Sequence, residues 1–322
     1  MKILEVRNLT VYFYTYAGVV RAVEGVSFDL YRGEVLAIVG ETGSGKSVTT
    51  RAITRLIQPP GKIISGSVIY RRNGEEIDLL KLPEEELRKI RGSEIAYVFQ
   101  DPSSALDPLY TVGYQIGETI AAHRGGKIKQ YFAEAIELLR RVLIPDPEAR
   151  AKSYPHQLSG GMKQRSVISM AISNRPRILI ADEPTTAVDV TVQAQILQLF
   201  KQLKEEFGMS IIFITHNMGL VAEFADRVAV MYGGKIVEEA PVEELFQNPK
   251  HPYTKGLLKA VINPLNPQER LEPIPGTIPN LINPPPGCRF HPRCPLAIKG
   301  KCEREEPPVV GGRHKVACWL YV

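Results

Sequence analysis

Nowhere in the 322 residues is there the run of about 20 apolar residues that a bilayer-crossing helix needs. The most apolar stretches, Val35–Val39 and Ile211–Ile214, are strand-sized. The opening Met1-Lys2-Ile3-Leu4-Glu5 is broken by charge at once, unlike a secretory leader, so a cytoplasmic protein is expected. Cysteine is missing from the first 287 positions. Blocks of basic residues are missing too, although net charge is +5. Residues 246–322 hold eleven Lys/Arg against five Asp/Glu, scattered singly among prolines, which suits a solvated surface better than a nucleic-acid stripe. Hydrophobic residues at 44% and charged residues at 23% exclude global disorder. No internal repeat is evident.

What is present is alternation. Apolar strand candidates at Ile3–Val6, Val35–Val39, Ile95–Phe99, Ile178–Ala181, Ser210–Ile214 and Val228–Met231 interleave with helical patterns at Tyr131–Leu143 and Val192–Phe207. Such interleaving predicts an α/β fold with a mostly parallel sheet core. The Tyr-rich segment up to about Gly33 reads instead as an N-terminal antiparallel β layer. After Phe246 the texture changes, with 14 of the 25 prolines in the last 77 residues. That density forbids long helices and central strands. An irregular Pro/Cys-rich C-terminal appendage is expected, held by something other than regular backbone pairing.

Gly40-Glu41-Thr42-Gly43-Ser44-Gly45-Lys46-Ser47 follows a strand candidate and leads into a helix, the context in which G-x-x-x-x-G-K-S is a phosphate-binding loop. Its glycines let successive N–H groups turn toward phosphate, and a helix N-terminus adds positive potential. Lys46 is expected at the β- and γ-phosphates of ATP and Ser47 on Mg²⁺. Downstream, Ile178–Ala181 ends in Asp182-Glu183. Asp182 is suited to hold Mg²⁺ through water, and Glu183 to polarise the attacking water. Between them, Leu158-Ser159-Gly160-Gly161-Met162-Lys163-Gln164-Arg165 reads as a Ser N-cap and two glycines opening a helix, a second backbone-amide anion site.

This last segment resembles the signature motif of ABC ATPases, and the chain is similar to that P-loop NTPase family over roughly residues 1–245, with a helical subdomain at about 101–154. The resemblance implies that Ser159, Gly160, Gly161 and Gln164 contact the ATP of an opposite subunit. It further implies a Q-loop role for Gln100, at Mg²⁺ and water, a D-loop role for Asp189 and a γ-phosphate contact for His216. His216-Asn217 departs from the commoner His-Asp. An aromatic near the N-terminus would stack on adenine; counting from Arg7 favours Phe13 over Tyr14 and Tyr16. Asp107-Pro108 and His251-Pro252-Tyr253-Thr254 resemble the dipeptide, oligopeptide and nickel importer subfamily, whose tail here would be residues 246–322. Expected partners are two permease subunits, a second, non-identical ATPase and, indirectly, an extracellular binding protein, at the cytoplasmic face of the membrane, with no nucleic acid. A soluble ABC ATPase is the rival. No coiled-coil insertion separates Lys46 from Ser159, and there is one cassette, which argues against the repair and translation branches.

Cys288, Cys294, Cys302 and Cys318 fall within the last 35 residues, spaced C-x5-C-x7-C-x15-C. Reduced surroundings disfavour disulfides. Zinc sites favour close C-x2-4-C pairs, absent here, whereas Cys294-Pro295 is seen in ferredoxin-type ligation. A [4Fe–4S] cluster is therefore expected, with zinc as the alternative, and Arg289, Arg293, Lys299 and Lys301 could offset thiolate charge. The family resemblance implies the same cluster.

Overall fold

The computed structural model describes residues 1–186, 189–259 and 274–322. The chain divides into two compact units, Met1–Lys81 with Ile214–Val322, and Leu82–Phe213. The N-terminal part of the first unit runs β1 (Lys2–Thr15), β2 (Gly18–Tyr31), β3 (Val35–Val39), α1 (Lys46–Ile53), β4 (Gly61–Arg72) and β5 (Glu75–Asp78). The second unit runs α2 (Glu84–Ile90), β6 (Ile95–Val98), α3 (Pro102–Ala105), α4 (Val112–Arg124), α5 (Phe132–Arg141), α6 (Pro147–Arg150), α7 (Gly160–Ile172), β7 (Ile178–Asp182) and α8 (Val190–Phe207). The strand β8 (Ser210–Thr215) carries the chain back to the first unit. There α9 (Met218–Phe224), β9 (Arg227–Tyr232), β10 (Lys235–Pro241), α10 (Val242–Gln247), α11 (Pro252–Lys259), β11 (Val309–Val310) and β12 (Lys315–Ala317) follow.

In the first unit, β1 and β2 form an antiparallel hairpin, extended by β4 and β5 in the order β2-β1-β4-β5. One face of β1 is packed inside through Leu4, Val6, Leu9 and Val11, which is what fixes its register. The antiparallel N-terminal layer predicted up to Gly33 is therefore present, and residues 61–78 complete it. The other sheet of this unit has β3 parallel to β9, and β9 antiparallel to β10. Every residue of β3 is buried. A strand covered on both faces must be apolar throughout, and Val35-Leu36-Ala37-Ile38-Val39 is.

In the second unit β6 and β7 pair in parallel, Ile95 with Ile178 through Val98 with Ala181. The amphipathic α5 buries Ala135, Leu138 and Leu139. It is shorter than the predicted Tyr131–Leu143, because Leu143 turns into the left-handed region at φ 59°.

The tail departs from expectation. Its two short strands add to the sheet, β12 pairing with β10 through Glu238–Val316 and Glu239–Lys315, and β11 pairing with β12. Proline stops the long elements but spares the proline-free three-residue β12, and the edge strand beyond it, β11, is only two residues long. Deeper in, Tyr232, Tyr253 and Phe290 pack ring to ring at 4.6–5.4 Å, so the appendage also has an aromatic core.

Candidate ATP site

The loop after β3 is shaped by backbone contact. Gly40 has φ 152°, and a Cβ there would stand 2.2 Å from the Met231 carbonyl oxygen. Gly45, left-handed at φ 101°, leads into α1 and would carry its Cβ 2.5 Å from the Ala22 oxygen. Neither position accepts a side chain without moving backbone. Lys46 is buried, and its ammonium donates to the carbonyls of Gly40 at 2.8 Å and Glu41 at 3.1 Å. These are resting partners that an incoming phosphate can replace. Ser44 closes a turn by donating its N–H to Glu41, and its carbonyl takes the Gly234 N–H. Its hydroxyl is buried without a partner. The loop thus presents one buried cation and the N-terminus of α1 at one place, the combination that binds phosphate.

In the second unit, β7 ends in Asp182, fully buried and accepting the Tyr97 hydroxyl at 2.8 Å. The next residue, Glu183, sits at φ 46°, a left-handed conformation rarely taken by a glutamate. Gln100 and Thr186 help to hold that strain. Gln100 Nε2 and Thr186 Oγ1 donate to Glu183 Oε2 at 3.1 and 3.0 Å, and the Thr186 N–H bonds to its carbonyl. Unfavourable backbone fixed by specific side chains concentrates at functional positions. Gln100 was expected beside this carboxylate's chemistry; Tyr97 and Thr186 were not. The parallel register that pairs Tyr97 with Ile180 puts Tyr97 on the same face as Asp182, and the sequence alone does not give that register.

Ser159 caps α7, its hydroxyl accepting the Met162 N–H at 3.3 Å. Ser159 and Gly160 are exposed, and a Cβ on Gly160 would meet nothing within 4 Å. Gln164, one turn on, is separated from them: it is buried, and its Nε2 has no protein partner. Asp189 caps α8 by accepting the Val192 N–H at 2.9 Å, and the Ala187-Val188 stretch before it lies outside the described residues. His216 is exposed just after β8. The next residue, Asn217, caps α9 through the Gly219 N–H at 2.9 Å. An aspartate in its place would cap the same way, so the Asn costs the helix little. Of the three aromatics, Phe13 is half-buried and pairs with Gly61 on β4, while Tyr14 is exposed and Tyr16 stands fully in solvent on the turn after β1.

A model of the ABC transporter family matches residues 23–186, and one of the oligopeptide/dipeptide transporter C-terminal region matches residues 237–302. The chain belongs to the ABC transporter ATP-binding family. It is 51% identical to the dipeptide transport ATP-binding protein DppD of Bacillus subtilis, over 99% of this chain and 95% of that protein. It is 50% identical to the oligopeptide transport ATP-binding protein OppD of the same organism, over 99% of this chain and 89% of that one. Among solved structures, the dimeric bacterial ABC transporter cassette MJ0796 matches at TM-score 0.66 and 30% identity, over 74% of this chain and 98% of that one. No helix among the described residues is long and apolar enough to cross a membrane.

The cysteines correct one expectation. Among the described residues no group of three or more His, Cys, Asp or Glu side chains is placed to hold a metal ion, so the four thiols do not stand as a ready-made ligand set. They are neighbours nonetheless. The Cys288 N–H bonds to the Cys302 carbonyl at 2.9 Å, and Cys302 Sγ accepts the Ile298 N–H at 3.3 Å. Burial pushes Cys288 up to about 11 and raises Cys294 and Cys318, and the charges of the other cysteines push the same way. The backbone N–H groups of Phe290, Leu296 and Leu320 pull those three back.

Proposed function

We propose that this chain is the ATP-hydrolysing subunit of a peptide importer, driving a separate membrane permease. The observation that carries the motor is Glu183, a strained carboxylate at the end of an apolar strand, beside a buried aspartate and gripped by Gln100 and Thr186. In this reading Lys46 binds the β- and γ-phosphates and the backbone amides of Gly40–Ser47 cradle them. Ser47, Asp182 and the amide oxygen of Gln100 would hold Mg²⁺. All are oxygen donors, which suits a hard cation, and the ion would neutralise phosphate charge. Glu183 accepts the proton of the attacking water as its oxygen bonds to the γ-phosphorus and the bond to ADP breaks. A positioned base of this kind contributes about 10²–10⁴-fold. His216 touches the γ-phosphate, Phe13 stacks on adenine, and Ser159–Gly161 with Gln164 and Asp189 serve the nucleotide of an opposite ATPase subunit.

The peptide cargo is supported by the relatives' names and by the C-terminal region matched at residues 237–302. This chain works at the cytoplasmic membrane face, with two permease subunits, a second, non-identical ATPase and, indirectly, an extracellular binding protein. Co-expression with candidate permeases, followed by uptake of labelled dipeptide, longer peptide or nickel, tests this. Peptide uptake lost in Glu183→Gln is expected, and uptake of nickel alone would overturn the cargo.

Cys288, Cys294, Cys302 and Cys318 are the residues that would hold a [4Fe–4S] cluster, or zinc in its place, as a structural cross-link of the tail. Backbone N–H groups directed at all four sulfurs support that use. Binding would require the metal to displace the thiol protons. Anaerobically purified protein should carry about four irons per chain. Stoichiometric zinc without iron would replace the cluster.

A further inference from the structure

Glu41, the second residue of the phosphate loop, is held on three sides. Its carbonyl accepts the Lys46 ammonium at 3.1 Å. Its backbone N–H donates to the Tyr253 phenol oxygen at 2.8 Å. Its carboxylate takes both terminal nitrogens of Arg293, at 2.7 and 3.1 Å. Two of these three grips come from the C-terminal region, more than 200 residues along the chain.

Neither grip is a casual surface contact. The Arg293 side chain is only 5% exposed. Its Nε donates to the Pro275 carbonyl at 2.8 Å, and its terminal nitrogens reach the Tyr232 hydroxyl at 3.3 Å and the Ile274 carbonyl at 3.4 Å. A planar fork fixed by three further acceptors is set for bidentate capture of one carboxylate. Tyr253 is fully buried and packs against the rings of Tyr232 and Phe290. Both groups are therefore rigid before they meet Glu41.

Glu41 poses a problem for an anion site. A carboxylate beside a loop that must accept several phosphate charges repels them unless it is neutralised. Arg293 supplies that charge from a buried position where solvent screens little. The hydrogen bonds also fix the carbonyl on which Lys46 rests, and Lys46 must leave it to reach phosphate.

We propose that Arg293 and Tyr253 are positioning residues for ATP binding: Arg293 holds and neutralises the Glu41 carboxylate, and Tyr253 holds the Glu41 backbone, so that the phosphate loop is completed by the C-terminal region. This rests on the ATP reading above.

The test is titration of the full chain with a fluorescent ATP analogue and Mg²⁺, with thermal melting alongside. Arg293→Gln should raise Kd roughly tenfold, as loss of a charge-assisted bond and an exposed like charge predict. Adding Glu41→Gln to it should restore Kd to within about threefold of wild type, because the repelling charge is then gone. A tie that merely anchors the tail would not be rescued this way, since the double variant still lacks it. Arg293→Lys and Tyr253→Phe should each weaken binding by about threefold, and they keep the question answerable if Arg293→Gln fails to fold. Unchanged Kd in these variants, or an Arg293→Gln defect that persists in the Glu41→Gln background, overturns the proposal. Wild-type chain that binds no nucleotide would instead remove the ATP reading, and this inference with it.

Discussion

Two glycine-led turns open helices in this chain, and they are built on opposite plans. Before α1, Gly40 and Gly45 are demanded from inside: the Met231 and Ala22 carbonyl oxygens stand where side chains would go, and Lys46 is folded back onto the loop's own carbonyls. Before α7, Gly160 has open space around it and Ser159 is exposed, with only its hydroxyl engaged in the helix cap. Internal packing explains the first pair of glycines and leaves Gly160 unexplained. A residue kept small without an internal reason suits close approach by something outside the chain, as the proposed opposite subunit would make. On the proposed reading, the phosphate loop is finished by its own chain, down to Arg293, and the signature turn by another.

The largest expected effect separates chemistry from both turns. Glu183→Gln should lower ATP hydrolysis by about 10²–10⁴-fold while nucleotide affinity stays within a few-fold, because the amide keeps the shape without the base. Turnover at the wild-type rate in an assembled transporter would take Glu183 out of the mechanism. Next comes the internal demand on the phosphate loop. Gly40→Ala should cost about 2–4 kcal/mol of stability, since the added methyl meets a carbonyl and the φ is unfavourable. Denaturant melts that superimpose on wild type would show that the loop is looser than its contacts suggest.

The phosphate loop was legible in the sequence because a strand, a Gly-rich spacing and a lysine all fall within thirteen residues, Val35–Ser47. Local order of that kind survives folding unchanged. The strands were legible for a similar reason, since Val35–Val39 and Ile178–Ala181 are apolar on both faces and can only be central. What stayed hidden was long-range. Nothing in the sequence ties Glu41 to Arg293, 252 positions apart, and proline density argued against the strands that return Lys315–Ala317 to the sheet. The cysteine spacing pointed to a metal centre, yet spacing does not fix side-chain direction, and among the described residues the thiols are not placed as a ligand set. Glu183 was read correctly as a carboxylate at a strand end, but its left-handed backbone and the Thr186 hydroxyl that braces it follow only from the turn the chain makes there.

A smaller effect sharpens the first half of the comparison. Lys46→Ala deletes the one buried ammonium of the loop and should weaken nucleotide binding to the isolated chain by roughly 10–100-fold, the worth of a charge-assisted bond to phosphate. The fold should change little, because the carbonyls of Gly40 and Glu41 that Lys46 leaves can turn to water. Equal affinity in the variant would mean that the backbone amides alone hold the phosphates.

The smallest expected effect in the isolated chain is the one that tests the second plan. Gly160→Ala places a methyl where nothing lies within 4 Å, at the first position of a helix. Alanine has the better helix propensity, so stability should move by no more than about 0.5 kcal/mol, toward greater stability. Nucleotide affinity of the single chain should not change either, because the phosphate loop is untouched. In the assembled transporter the same methyl would stand between the turn and the partner's nucleotide, so ATP-driven dimer closure and hydrolysis should fall. Ser159→Arg should act in the same direction and more strongly, although it also removes the cap at a cost of about 1 kcal/mol. The pattern to look for is a variant indistinguishable from wild type alone and impaired only in company. If Gly160→Ala instead weakened nucleotide binding by the lone chain, the turn would be serving its own nucleotide. The contrast between a self-completed site and a shared one would then be wrong. If the assembled transporter hydrolysed ATP at full rate with both substitutions, the open space at Gly160 would be only space.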